Sequence, residues 1–167
     1  MQNIILIGMP AVGKSTVGVL LAKRLGYRFI DSDLLIQERE GKLLHELLRE
    51  HGVNGFLEIE DAVNSSITAE RAVIATGGSV VYGKRAMEHL RSIGTVVYLK
   101  MDFETLKNRL GDYTHRGVVM PRGYTLEQMY DERRGLYEQY ADIVLDEGEG
   151  TLSDTLERLC HLLEQKM

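Results

Sequence analysis

The run Ile4-Ile5-Leu6-Ile7, stopped by Gly8 and followed by Met9-Pro10-Ala11-Val12-Gly13-Lys14-Ser15, restricts this chain more than any other feature. Four consecutive apolar residues without alternation describe a strand buried on both faces, as in parallel sheets covered by helices. The residues after it fit G-x-x-x-x-G-K-[ST] at every fixed position. Next comes a helical pattern over 14–25, with Val17, Leu20, Leu21 and Leu25 on one face. A glycine-rich turn can match so short a motif by chance, but the strand before it and the helix after it are the context the motif requires. The glycines let backbone N–H groups curl around anionic oxygens, which side chains would obstruct. Lys14 places a point charge at the β- and γ-phosphates, and the Ser15 hydroxyl can ligate Mg²⁺. The helix that opens here turns its positive N-terminal end to the phosphates. The expected nucleotide-binding set is Gly8, Ala11, Val12, Gly13, Lys14, Ser15 and Thr16.

The rest of the chain alternates strands with helices. Tyr27–Ile30, Val73–Ala75, Thr95–Leu99 and Ile143–Leu145 read as further strands. Helical spacing covers 33–39, 43–50, 54–69, 84–92, 103–110, 125–139 and 152–165, with Gly41 and Gly52 as separators. The pattern predicts an α/β fold of the three-layer P-loop NTPase type: a five-stranded parallel sheet with helices on both faces. At 167 residues the expectation is one domain, 1–167, with substrate-binding helices at about 33–69. Gly111, Gly117, Pro121 and Gly123 break regular structure over 111–124, which predicts a short mobile lid.

Composition removes several alternatives. A formal net charge of −5 and the lack of any Lys/Arg stripe argue against nucleic acid as partner. No apolar run approaches the ~20 residues needed to cross a bilayer, and Met1–Ile7 lacks the positive n-region of a signal peptide. Cys160 is the only cysteine, so no intramolecular disulfide can form. The five histidines show no zinc-like spacing, and only His115, beside Arg116, could meet a phosphate. The default is a cytoplasmic monomer acting on a small molecule.

Asp31 and Asp33 stand at the carboxyl end of the second strand, where open α/β sheets bind ligands. Strand residues two apart face the same way, so the two carboxylates can divide the work. One would hold magnesium through water, and the other would take hydrogen bonds or a proton from a substrate hydroxyl. The competing reading is that Ser32 or Asp33 simply caps the next helix. Arg116 and Arg122 in the 111–124 segment would bring positive charge to a transferring phosphoryl group while the segment excludes water. The competing reading there is an exposed loop.

Together these residues resemble the shikimate kinases over nearly the whole chain. The resemblance includes the phosphate loop, the Asp31-Ser32-Asp33 triplet, and Ile74-Ala75-Thr76-Gly77-Gly78, which looks like that family's Walker B strand. Arg109 and Arg116 fall at its lid arginines, and Arg133, Tyr137 and Ala141-Asp142 match its R-x-P-x-Y…A-D segment. The resemblance implies ATP and Mg²⁺ as cofactors, with Lys14, Asp33 and Arg116 as catalytic residues. Ser15 and, through water, Asp31 would hold the metal, and Arg109 would lie against the adenine. Asp33, Gly77, Gly78 and Arg133 would bind the acceptor, Arg133 by its carboxylate. For Arg133 a surface ion pair with Asp131 is the alternative.

The departures gather on the acceptor side. The family's F-R-x-x-E appears as Phe56-Leu57-Glu58-Ile59-Glu60, so the arginine that grips the substrate carboxylate is replaced by Leu57. Such a charge-assisted contact is worth roughly 1.5–3 kcal/mol. Glu60 loses its expected partner and is free to receive a hydroxyl or an amine. Ser79 stands at the third glycine of G-G-G, and Arg116-Gly117-Val118-Val119 at R-P-L-L. The acceptor is therefore either shikimate, with Arg49 or Arg122 replacing the missing arginine, or a small polyol without the same carboxylate. A GTPase would need an N-K-x-D motif, which is absent. A nucleoside monophosphate kinase fits the Asp-Ser-Asp triplet less well. A non-catalytic ATP-binding regulator would have little use for the full catalytic set.

Overall fold

In the computed structural model, which describes residues 2–111, 118–148 and 150–166, the first strand is the centre of the sheet. β1 (Asn3–Ile7) is buried at every position, as its unbroken apolar run requires. It pairs in parallel with β3 (Ala72–Ala75) on one side and β4 (Gly94–Lys100) on the other. β2 (Arg28–Asp31) and β5 (Ile143–Asp146) form the edges, giving the order β2-β3-β1-β4-β5 with every pair parallel. The buried Asn3 side chain ties this centre to its surroundings. Its amide donates to the carbonyls of Ala69 and Ile93, and its oxygen accepts from the Ala72 N–H.

Helices cover both faces. α1 (Lys14–Leu25) packs on β1, β2 and β3 and against α7 (Leu152–Lys166). α3 (Leu44–Ser65) pairs with α4 (Lys84–Ile93), and α4 and α6 (Leu126–Tyr140) rest on β4. α2 (Ser32–Glu40) follows β2 directly, and α5 (Phe103–Leu110) follows β4. This is the expected three-layer arrangement.

Three local expectations shift. Residues 43–50 and 54–69 form one element, α3, interrupted only at Gly52, where φ 70° and ψ −179° leave the helix. That element ends at Ser65 rather than 69. The hydroxyls of Ser65 and Ser66 bond back to the carbonyls of Ala62 and Val63, and Ile67 turns into the core. Finally, a short 3₁₀ turn, Val80–Tyr82, follows the Gly-Gly-Ser segment.

Candidate active site

Local backbone geometry builds the phosphate loop. Gly8 has φ 150°, and a Cβ there would lie 2.7 Å from the Leu99 carbonyl oxygen. Gly13 caps α1 in the left-handed region at φ 95°, and Ala11 is held at φ 66°. A left-handed alanine costs on the order of 1 kcal/mol, a strain that concentrates at functional loops. Lys14 closes the loop over itself: Nζ donates to the carbonyls of Gly8 at 2.7 Å and Met9 at 2.8 Å. Burial pulls the Lys14 pKa down to about 8, with the Asp33 charge opposing the shift and Arg133 adding to it. Lys14 therefore remains a cation at neutral pH.

Asp31 connects this loop to the acceptor side. Its Oδ1 accepts from the backbone N–H groups of Asp33 and Leu34, capping α2. Its Oδ2 accepts from the Ser15 hydroxyl at 3.3 Å. The cap is thus Asp31 itself, rather than Ser32 or Asp33, and it frees Asp33 to face the cavity. Burial raises the Asp33 pKa, the Asp31 charge raises it further, and Lys14 restrains it.

The cavity, about 330 Å³, is lined by Pro10, Lys14, Ser15 and Thr16 on the loop side. Asp33, Phe56, Glu60, Gly77, Ser79 and Arg133 are among the residues that line its far side. Gly77 keeps the floor open, since a side chain there would begin 2.8 Å from Asp33 Oδ1 and 2.9 Å from Glu60 Oε2. Ser79 Oγ donates to Glu60 Oε1 at 2.6 Å, and burial pushes the Glu60 pKa up to about 7. Arg133, only 1% exposed, donates through Nη2 to the Val119 carbonyl and stacks 5.4 Å over the Tyr82 ring. Tyr137 donates to the Gly78 carbonyl, fixing the turn that carries Gly77.

A second cleft of about 250 Å³ opens on the other side of the loop, between Val12, Thr16, Arg109, Glu147 and Thr151. Arg109 Nη1 reaches the Ala11 carbonyl at 3.5 Å and lies 3.9 Å from a Glu147 carboxylate oxygen. Burial raises the Glu147 pKa, and Arg109 restrains it.

Comparison with known proteins agrees with this geometry. A family model described as shikimate kinase matches residues 10–164. A shikimate kinase of Clostridium botulinum (strain Okra / Type B1) is 40% identical over 149 residues, covering 86% of this chain and 87% of that protein. One from Chlorobium chlorochromatii (strain CaD3) is 35% identical, covering 98% and 92%. The solved shikimate kinase from Acinetobacter baumannii in complex with shikimate superposes with a TM-score of 0.88 at 28% identity, covering 99% of this chain and 94% of that one. The chain belongs to the shikimate kinase family. It is a kinase that uses ATP to phosphorylate a hydroxyl group.

Within this shikimate kinase frame, the structure brings Ala11, Gly13, Lys14, Ser15, Thr16, Asp33, Gly77, Gly78 and Arg133 around the first cavity. Val12 and Arg109 border the second. Gly8 contributes through its carbonyl on Lys14, and Asp31 through Ser15. Arg116, His115 and the part of the 111–124 segment at 112–117 lie outside the described residues; Val118 and Val119, from its far end, line the first cavity. One alternative is overturned: Arg133 forms no surface pair with Asp131, because it is buried while Asp131 is exposed. Arg49 and Arg122 are both exposed and line neither cavity. Leu57 packs beside the satellite cluster of Ile36, Leu47, Phe56, Val63 and Val119. Glu147 escaped the sequence reading, yet it stands just past the carboxyl end of β5, where the strand-end rule would have located it.

Proposed function

We propose that this chain transfers the γ-phosphoryl group of ATP to a ring hydroxyl of shikimate, as a cytoplasmic, single-domain monomer. The observation that carries the reading is that Lys14 and Asp33 face one cavity with Gly77, Gly78 and Arg133. Further support is the likeness to the Acinetobacter protein solved with shikimate.

In the proposed reaction the acceptor hydroxyl is held by Asp33 and directed at the γ-phosphorus. The new bond joins the acceptor oxygen to phosphorus, the bond from phosphorus to the β,γ-bridging oxygen breaks, and the hydroxyl proton passes to an Asp33 oxygen. The raised pKa of Asp33 brings its basicity closer to that needed at neutral pH. Lys14 and the N-terminus of α1 stabilise charge on the transferring oxygens. Arg116 joins them by its sequence position.

Mg²⁺ would be held by Ser15 and, through water, by Asp31. The hard oxygens of a hydroxyl and a carboxylate, 3.3 Å apart at the mouth of the loop, suit that ion. When bound it neutralises phosphate charge. Arg109 and Glu147 line the cleft proposed for the adenosine moiety.

A second reading, an acceptor without shikimate's carboxylate, is favoured by the position of Leu57. Among the described residues, Arg133 is the only guanidinium lining the cavity. ADP release measured across shikimate, quinate, cyclitols and sugars decides between them. Shikimate-dependent release with a micromolar KM supports the first reading; release with a cyclitol and none with shikimate replaces it by the second.

A further inference from the structure

The acceptor cavity contains a carboxylate that the proposed reaction does not use. Glu60, on α3, is 2% exposed and lines the cavity. Its Oε1 accepts from Ser79 at 2.6 Å; its Oε2 has no hydrogen-bond partner among the described residues. Neither oxygen has a salt-bridge partner there. A buried carboxylate normally requires a paired cation or several donors, so this one is under-satisfied.

Its free oxygen stands beside that of Asp33. Oε2 and Asp33 Oδ1 both lie within 3 Å of the point where a side chain at Gly77 would begin, so both pack against Gly77 and are close neighbours at the cavity floor. A second under-satisfied group belongs to the lining of the same cavity. Arg133 is 1% exposed and lines the same cavity, and its Nε is buried without a partner.

We propose that Glu60, held by Ser79, is a second reading point of the acceptor site, binding a hydrogen-bond donor next to the hydroxyl that Asp33 positions. The acceptor chemistry it selects is a pair of neighbouring donors, either a vicinal diol or an amino alcohol. Asp33 takes the reacting hydroxyl and Glu60 takes its neighbour. The groups that face Glu60 are Asp33 from α2, Arg133 from α6, Lys14 from α1 and Ser79 from the turn after β3. Both cations act on it only across space, so the donor must come from the ligand. This inference rests on the acceptor reading above and specifies which part of the acceptor is recognised.

The test measures coupling between Glu60 and one acceptor group. Shikimate, its 4-deoxy analogue and its 4-amino-4-deoxy analogue are compared on the wild-type enzyme and on Glu60→Gln. Steady-state KM is read at saturating ATP, and binding is read by calorimetry with ADP present. In the wild type, removing the neighbouring hydroxyl should weaken KM and binding about 10- to 100-fold. In Glu60→Gln that ratio should fall to within a few-fold while KM for ATP stays within two-fold. A merely structural role for Glu60 would weaken all three probes alike and leave the ratio intact, which overturns the proposal. A wild-type ratio within two-fold overturns it without any variant. The amino probe separates the two ligand sources, since tighter binding than the diol assigns an amine and weaker binding a hydroxyl. Where Gln yields no folded enzyme, Glu60→Asp keeps the charge but withdraws it, and the same collapse of the ratio is expected. Calorimetry reads the ratio even when no probe turns over, so failure of the shikimate assignment and failure of this inference are distinguishable.

Discussion

The phosphate loop and the acceptor floor face the same cavity, but one is held by backbone and the other by side chains. On the donor side, glycine conformations, the Lys14 bonds to two loop carbonyls and the first turn of α1 create the site, all within one continuous segment, residues 8–17. On the acceptor side, Asp33, Glu60, Ser79 and Arg133 arrive from α2, α3, the turn after β3 and α6. Backbone geometry tolerates drift at the other positions of the loop, so the loop fits its motif at every fixed residue. Side chains gathered from distant elements can be exchanged one at a time, and the departures Leu57 and Ser79 both fall there. The donor half therefore defines the reaction, and the acceptor half defines the molecule it acts on.

The largest effect should come from the side of the cavity that both halves share. Lys14→Ala removes the phosphate-facing cation and frees two loop carbonyls, and kcat should fall by about 10³-fold or more. A loss below ten-fold would show that the loop does not stabilise the transferring phosphoryl group. Asp33→Asn should lower kcat by about 10²–10⁴-fold while calorimetry shows ATP affinity near normal. Unchanged turnover would remove Asp33 from the proton-accepting role.

Gly77→Ala tests whether the two halves separate as the geometry implies. The added methyl would sit 2.8 Å from Asp33 Oδ1 and 2.9 Å from Glu60 Oε2. KM for the acceptor should rise about ten-fold or more, a loss of roughly 1.4 kcal/mol, with KM for ATP little changed. A matching rise in both constants would mean that the floor also shapes the donor site.

The same region should show a pH-dependent stability. Burial raises the Glu60 pKa from 4.5 to about 7, so the folded state binds this proton more tightly than the unfolded chain. Stability from this group is then fully present below about pH 4.5 and is lost as pH rises to about 7. The complete change is about 3 kcal/mol. Glu60→Gln removes the titration, so the variant should melt higher than the wild type at pH 8 and differ little at pH 5. Equal pH profiles of Tm would contradict a buried, titrating Glu60. The smallest effect is expected for Tyr137→Phe, which leaves the Gly78 carbonyl without its donor. A stability loss of about 1 kcal/mol with acceptor KM shifted only a few-fold is expected from melting and kinetics.

The sequence by itself determined the strand, loop and helix that bind phosphate, the parallel α/β class and the place of Asp31 at the end of β2. Each follows from local rules, apolar runs and glycine conformations above all. The two-residue strand period does not relate Asp31 to Asp33, because β2 ends at Asp31 and Asp33 lies in the first turn of α2. It also showed that Leu57 and Ser79 depart from the family pattern. Only the tertiary structure decided what those departures leave behind. No local pattern distinguishes a buried Arg133 from a surface one, or tells that Arg49 and Arg122 are exposed and line neither cavity. The Glu60–Ser79 bond joins residues 19 positions apart, and the approach of Glu60 to Asp33 over Gly77 joins three separate elements. Such contacts depend on how helices pack on the sheet, so the acceptor site becomes legible only once the chain is folded.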